Sequence, residues 1–205
     1  MKAKRLISLA IAALLLVMTA VSASAEIALT DQEPGGDTEV KAHISGGNPP
    51  GEVSYTIMIP DAVDFGELKQ PTENVDDYKD AAYTVKATKI DGLDPTTQQV
   101  SVYVRDQNAT ASSNQDFKIT NKSDSSVSFK YDVYNSETII PANLISGNGY
   151  VGTVGYFLYG FTEQGQALTG TLRLNQAQLY GRNITDLIGE YSGYMVFYSA
   201  VESQN

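Results

Sequence analysis

The chain has no cysteine, no tryptophan and a single histidine, His43, among its 205 residues. Without cysteine there is no disulfide, thiol nucleophile, iron–sulfur cluster or cysteine-based zinc site. One histidine leaves a Ser-His-Asp triad or a His-based zinc centre without support, and His43, in a weakly alternating stretch, reads as an exposed strand residue. Positive charge is also scarce: 14 Lys and Arg stand against 24 Asp and Glu, for a formal charge of -10. That balance argues against nucleic acid and anionic membrane surfaces as partners, because both are bound through dense basic patches. There is no Gly-x-Ser-x-Gly elbow and no phosphate-binding loop. Beyond residue 25 no apolar run is long enough to span a bilayer, so no transmembrane anchor is expected. What is present is an apolar content of 42%, too high for wholesale disorder. The length suits one sizeable core.

Residues 1–25 have the form of an export signal. Lys2, Lys4 and Arg5 precede an apolar stretch from Leu6 to Val17, and Ala23-Ser24-Ala25 ends it with a small-x-small cleavage site. Cleavage is expected after Ala25. Removing 25 of the 205 residues leaves 180, and the loss of three positive charges takes the formal charge from -10 to -13. No cysteine follows the leader for lipidation, and the C-terminal residues carry no sortase-type Leu-Pro-x-Thr-Gly motif. The expected location is therefore secreted, or at the cell surface through non-covalent attachment.

Residues 26–37 include Asp31, Glu33, Pro34, Gly35, Gly36 and Asp37, a composition that reads as a flexible acidic leader. Residues 38–205 read as one β-sandwich domain. Val40, Ala42 and Ile44 alternate weakly before a turn at Gly46–Gly51, and Tyr55, Ile57 and Ile59 alternate cleanly up to Pro60. Further period-2 sets follow: Tyr83, Val85, Ala87; Val100, Val102, Val104; Phe117, Ile119; Val127, Phe129, Tyr131, Val133; Val154, Tyr156, Leu158; and Leu168, Leu172, Leu174, interrupted by Gly170. The final set, Tyr194 to Val201, is apolar on both faces and is expected to lie centrally in a sheet. About nine such segments at this spacing predict an all-β, Ig-like or adhesin-like sandwich with little helix. One short helix is expected within Ala177–Ile188, capped by Thr185 or Asp186, and a turn of helix or an added hairpin in Asp61–Asp80 and Ser136–Tyr150.

Two stretches carry a resemblance. Tyr55-Thr-Ile-Met-Ile-Pro60, followed by Asp64-Phe-Gly66, resembles the Tyr-Thr-Val-x-Ile-Pro … Asp-Phe-Gly opening strand of domains in secreted surface proteins of Gram-positive bacteria. Gly189-Glu-Tyr-Ser-Gly-Tyr-Met-Val-Phe197 resembles the Gly-x-Tyr-x-Gly-x-apolar-x-Phe closing strand of Ig-like adhesin, pilin-like and WxL-type surface domains. The resemblance implies an adhesin-type β-sandwich. WxL domains bind peptidoglycan through Trp-x-Leu motifs, and with no tryptophan that function does not carry over. In Ig-like sandwiches a Tyr near the start of a late strand can bond back to preceding backbone and pin a corner, and Tyr191 is placed to do so.

Acidic residues cluster in what read as loops. Ca²⁺ takes about six to eight oxygen ligands, and Asp76, Asp77 and Asp80 are the candidate ligands, although their spacing does not match an EF-hand loop. No other cofactor is expected. The 13 tyrosines, concentrated late in the chain, suit packing on a pleated surface or stacking on sugars. No pair among the 24 acidic side chains is singled out for glycoside hydrolysis. The expectation is a non-enzymatic, exported, adhesin-like or structural surface protein that can serve as one subunit of a larger assembly. A carbohydrate-binding module using exposed Tyr is the alternative, and a secreted glycoside hydrolase a further one. Partners would be other surface proteins, or cell-wall or host glycans. A homo-oligomer could form if the 38–45 strand paired with a neighbouring molecule rather than its own sheet. N-terminal sequencing of protein from the medium or cell wall should read Glu26 first, and full-length protein retained in the cytosol would contradict export.

Overall fold

Alternation of the kind just described demands two faces, and a computed structural model of the chain shows where each goes. It describes residues 26–30, 35–37 and 52–204, the first two stretches as backbone only. The leader 1–25, His43, the 38–45 strand and the 46–51 turn lie outside the described residues. Twelve strands are present among those described: β1 (Glu26–Thr30), β2 (Gly35–Asp37), β3 (Ser54–Pro60), β4 (Tyr78–Asp91), β5 (Gln98–Asp106), β6 (Phe117–Asn121), β7 (Ser128–Tyr134), β8 (Tyr150–Val151), β9 (Gly155–Phe161), β10 (Ala167–Asn175), β11 (Tyr191–Ser192) and β12 (Met195–Ser203). They form two antiparallel sheets, one of seven strands in the order β1-β3-β4-β10-β7-β6-β11 and one of five in the order β2-β12-β5-β9-β8. The fold is all-β, as the alternation implies.

The inner faces meet in one core. Ile57, Val85, Phe129 and Leu174 of the larger sheet and Val102, Leu158, Phe161 and Phe197 of the smaller are each almost wholly excluded from solvent. Each such burial contributes about 1.5–3 kcal/mol. Polar bonds also bridge the layers. The Tyr55 hydroxyl donates to the Ser199 carbonyl at 3.2 Å. The buried Asp106 carboxylate, at the end of β5, accepts the Asn108 N–H at 2.8 Å and the Lys118 N–H of β6 at 3.3 Å. Burial pushes that carboxyl up, and the backbone N–H groups of Asn108 and Lys118 offset part of the effect.

Several expectations need correction. Within the 26–37 stretch read as a flexible leader, β1 pairs with β3 and β2 with β12. β4 begins at Tyr78, so Asp80 lies in a strand and not in a loop. The final strand has neighbours on both sides, but its outer face is partly open, with Tyr198 36% exposed. The centre of that sheet is β5, where Ser101 and Tyr103, which alternate with the expected core set Val100, Val102 and Val104, are buried as well. The helix expected in Ala177–Ile188 is two 3-10 turns, Gln176–Leu179 and Ile184–Asp186. They are capped by the side chains of Asn175 and Asn183, not by Thr185 or Asp186. Each Asn accepts an N–H two residues on and so terminates the preceding extended chain. The 136–150 connection holds two further 3-10 turns, in keeping with its expected turn of helix.

Gly170, which breaks the apolar alternation of β10, is explained by a neighbour. The Tyr83 ring of β4 crosses beneath it, and the buried Tyr83 hydroxyl donates to the Tyr134 carbonyl of β7 at 2.9 Å. A Cβ at residue 170 would collide with both the Tyr83 ring and the Tyr134 carbonyl oxygen. Gly170→Ala should therefore cost about 1–3 kcal/mol through overpacking. Tyr83→Phe should cost about 1–3 kcal/mol by leaving a buried carbonyl without its donor. Urea unfolding midpoints check both, and a wild-type midpoint for Gly170→Ala would refute the crossing.

Candidate functional site

Where β3 ends at Pro60, the chain turns across one end of the sandwich and opens a groove of about 1180 Å³. Its first lip is the 61–68 segment. The Asp64 carboxylate accepts the Gly66 N–H at 2.7 Å and closes a tight turn. That turn drives Phe65 inward, where its ring meets Tyr131 edge-on at 5.5 Å. Asp61, Asp64 and Glu67 remain along the rim.

The second lip comes from the connection between β10 and β12. Leu179 and Leu187 anchor it by burial, and the Gln70 amide donates to the carbonyls of Leu179 and Arg182, both at 2.8 Å. Ile184, which opens the second 3-10 turn, and Ile188, which follows its C-cap Leu187, stay outward, 48% and 72% exposed. Exposure of two neighbouring branched residues is a cost unless something covers them. The lip continues through Gly189 and Glu190 into β11. Tyr191 behaves as its sequence setting implies: its hydroxyl donates to the Leu187 carbonyl at 2.8 Å, and its ring lies 5.1 Å from Phe129. The Lys122 ammonium pairs with Glu190 at 3.0 Å, and the Lys122 N–H donates to the Glu190 carbonyl at 2.9 Å. Gly193 lies so close to the Lys118 carbonyl that any side chain there would push β11 off β6. The floor is apolar: Ile119, Phe129, Tyr131, Leu172 and Met195.

The structure does not bring the candidate Ca²⁺ ligands together around one point. Asp76 accepts from the Tyr78 hydroxyl at 2.9 Å and the Asn175 amide at 2.7 Å. Asp77 accepts from the Gln176 amide at 3.0 Å. Asp80 takes both Nε and a terminal nitrogen of Arg173, at 2.8 and 2.6 Å. Among the described residues no group of three or more His, Cys, Asp or Glu is placed to hold a metal ion. The hydrogen bond to Asp76 raises the Tyr78 phenol, and that to Asp80 raises the Arg173 guanidinium, which also stacks on the Tyr78 ring at 4.6 Å.

Most late tyrosines are occupied in packing. Tyr156 is buried, and Tyr150 meets it edge-on at 5.1 Å. On the outer face of the smaller sheet Tyr198 stands opposite Tyr103, whose ring meets Phe157 at 5.7 Å and whose hydroxyl donates to Glu202 at 2.7 Å. Burial, with help from Glu202, pushes the Tyr103 phenol up to about 12.

Sequence reasoning missed the groove as a site, yet both stretches singled out for their resemblance border it. Asp64, Phe65 and Gly66 form one lip, and Gly189 to Met195 form much of the other. No family model matches the chain, and no curated protein matches it. Among solved structures, it is similar to a chain from a chaperone–tip adhesin complex described as vital for synergistic activation of CFA/I fimbriae biogenesis. The TM-score is 0.42 and the identity 13%, over 75% of this chain; the match spans 53% of the other.

The corner bond makes a specific claim about the second lip. Tyr191→Phe should lower stability by about 1 kcal/mol. It should also speed amide exchange selectively between residues 184 and 190. Hydrogen-exchange mass spectrometry checks this, and unchanged protection there would show that the hydroxyl does not pin the lip.

Proposed function

We propose that this protein is an exported, non-enzymatic binding sandwich that works at or outside the cell surface, adhesin-like or as one subunit of a surface assembly. It is of the general kind that its opening and closing motifs resemble. The observation that carries this reading is the groove. An apolar floor, two exposed isoleucines on one lip and carboxylates on the other make a surface built to be covered. The lips are held by the Gln70 and Tyr191 hydrogen bonds, so the surface is formed before a partner arrives. No helix among the described residues is long and apolar enough to cross a membrane, and the proposal places any attachment in protein–protein contact.

A second reading, carbohydrate binding, rests on the row formed by Tyr198, Tyr103 and Phe157 across three strands of the smaller sheet. Tyr198 is the most open ring of that row, Phe157 is half-buried and Tyr103 is buried.

One experiment separates the two. Fluorescently labelled protein should bind the surface of producing cells, and Ile188→Asp should weaken that binding roughly tenfold while leaving the circular dichroism spectrum unchanged. Binding lost with Tyr198→Ala but kept with Ile188→Asp would move the function to the outer face. Binding unaffected by either would refute both readings.

A further inference from the structure

The dimensions, charge and backbone of the groove together narrow what could occupy it. At about 1180 Å³ it exceeds the roughly 300–1,000 Å³ typical of small-molecule sites, and it is partly open to solvent rather than closed around a ligand. A polypeptide segment fits that scale better than a metabolite. The second lip adds a backbone criterion. β11, Tyr191 and Ser192, lines the groove as the last strand of the seven-stranded sheet and pairs with β6 alone among the described residues, so the far side of that short strand is a sheet edge. Edges of this kind accept extended chains, whose alternate side chains then face the sheet.

Charge supplies the third criterion. The four ion pairs among the described residues join Lys89 to Asp91, Lys122 to Glu190, Lys130 to Asp116 and Arg173 to Asp80. None of them uses Asp61, Asp64 or Glu67. The cation in the groove lining, Lys122, is taken by Glu190, so these three carboxylates face the groove without an ion-pair partner, on a chain with a formal charge of -10. A cationic partner would be drawn in at long range and held at the rim, whereas an acidic one would be repelled.

We infer that the groove receives an extended segment of another protein in which apolar residues alternate with Lys or Arg. The apolar positions would pack on Ile184, Ile188 and the floor, and the cationic ones would face Asp61, Asp64 and Glu67. This inference rests on the binding reading above and names the partner chemistry for the same site.

The test uses the purified full chain and three fluorescein-labelled peptides of equal length, followed by anisotropy: alternating Lys and Val, alternating Glu and Val, and alternating Lys and Pro, which cannot pair with an edge. The Lys/Val peptide should bind at least about tenfold more tightly than the Glu/Val peptide. That preference should vanish in the triple variant Asp61→Asn, Asp64→Asn, Glu67→Gln, and in about 1 M salt, where the Debye length is about 3 Å. Ile188→Asp should weaken the Lys/Val peptide roughly tenfold, and the Lys/Pro peptide should bind weakly. The substituted rim positions make no ion pair, and an asparagine oxygen at residue 64 can still accept the Gly66 N–H, so the variants should keep the wild-type circular dichroism spectrum, which is measured alongside.

Equal affinity for Lys/Val and Glu/Val, with both weakened by Ile188→Asp, would overturn the cationic occupant while leaving the groove reading intact. Lys/Pro binding as tightly as Lys/Val would overturn the extended, edge-paired mode. Lys/Val binding indifferent to both the triple variant and Ile188→Asp would place the contact elsewhere and overturn the inference. No binding of any peptide up to about 1 mM would overturn it too, and loss of cell-surface binding in Ile188→Asp would still uphold the broader reading.

Discussion

Everything in this molecule depends on burying one alternating face from each of two sheets against the other, with no covalent bond to assist. A chain without cysteine has only the unfolded-state entropy it can overcome by burial, so side chains such as Phe129, Phe161 and Phe197 must be almost wholly excluded from water. A few polar bonds also join the layers, from the Tyr55 hydroxyl to the Ser199 carbonyl and from the Asp106 carboxylate to the Lys118 N–H of β6. With the core fixed by shape rather than by cross-links, the connections at the ends of the strands are free to differ, and that is where the groove forms.

The fold class was legible because period-2 alternation is a local signal. Tyr55, Ile57 and Ile59, or Phe129, Tyr131 and Val133, declare a half-buried strand within a few residues, and each set lies on the inner face. Interactions between residues far apart in sequence were not legible. Asp80 looked like a loop carboxylate open to a metal because its partner, Arg173, stands 93 positions away and meets it only through the β4–β10 register. Gly170 read as an interruption because the ring that requires it belongs to another strand. Ser101 and Tyr103, on the face of β5 opposite Val100, Val102 and Val104, are buried because β5 lies at the centre of its sheet between β12 and β9, and alternation within one strand carries no information about its neighbours.

The groove occupies an intermediate position. Its two lips coincide with the two motifs that stood out in the sequence, so the signal was present, but as a resemblance of strands rather than as a site. The physical reason is that the same residues serve both roles. Phe65 fills the core while Asp64 beside it closes the turn, and Tyr191 packs on Phe129 while its hydroxyl holds the lip. Ile184 and Ile188 gave no sequence signal because an apolar residue in a short connection is ordinarily covered; here Ile184 opens the 3-10 turn capped by Asn183 and Ile188 follows its C-cap, and both stay exposed.

The placement of β12 bears on how the molecule would respond to load. It runs antiparallel to β5 in an unbroken register from Met195 opposite Asp106 to Ser203 opposite Gln98, with β2 on its other side. Tension along its axis would stress those ladder bonds together, as a lap joint is stressed, instead of parting them one after another. Because resistance to forced unfolding is set by a rate and not by equilibrium stability, a sandwich of modest thermodynamic stability can still hold under tension applied through this strand.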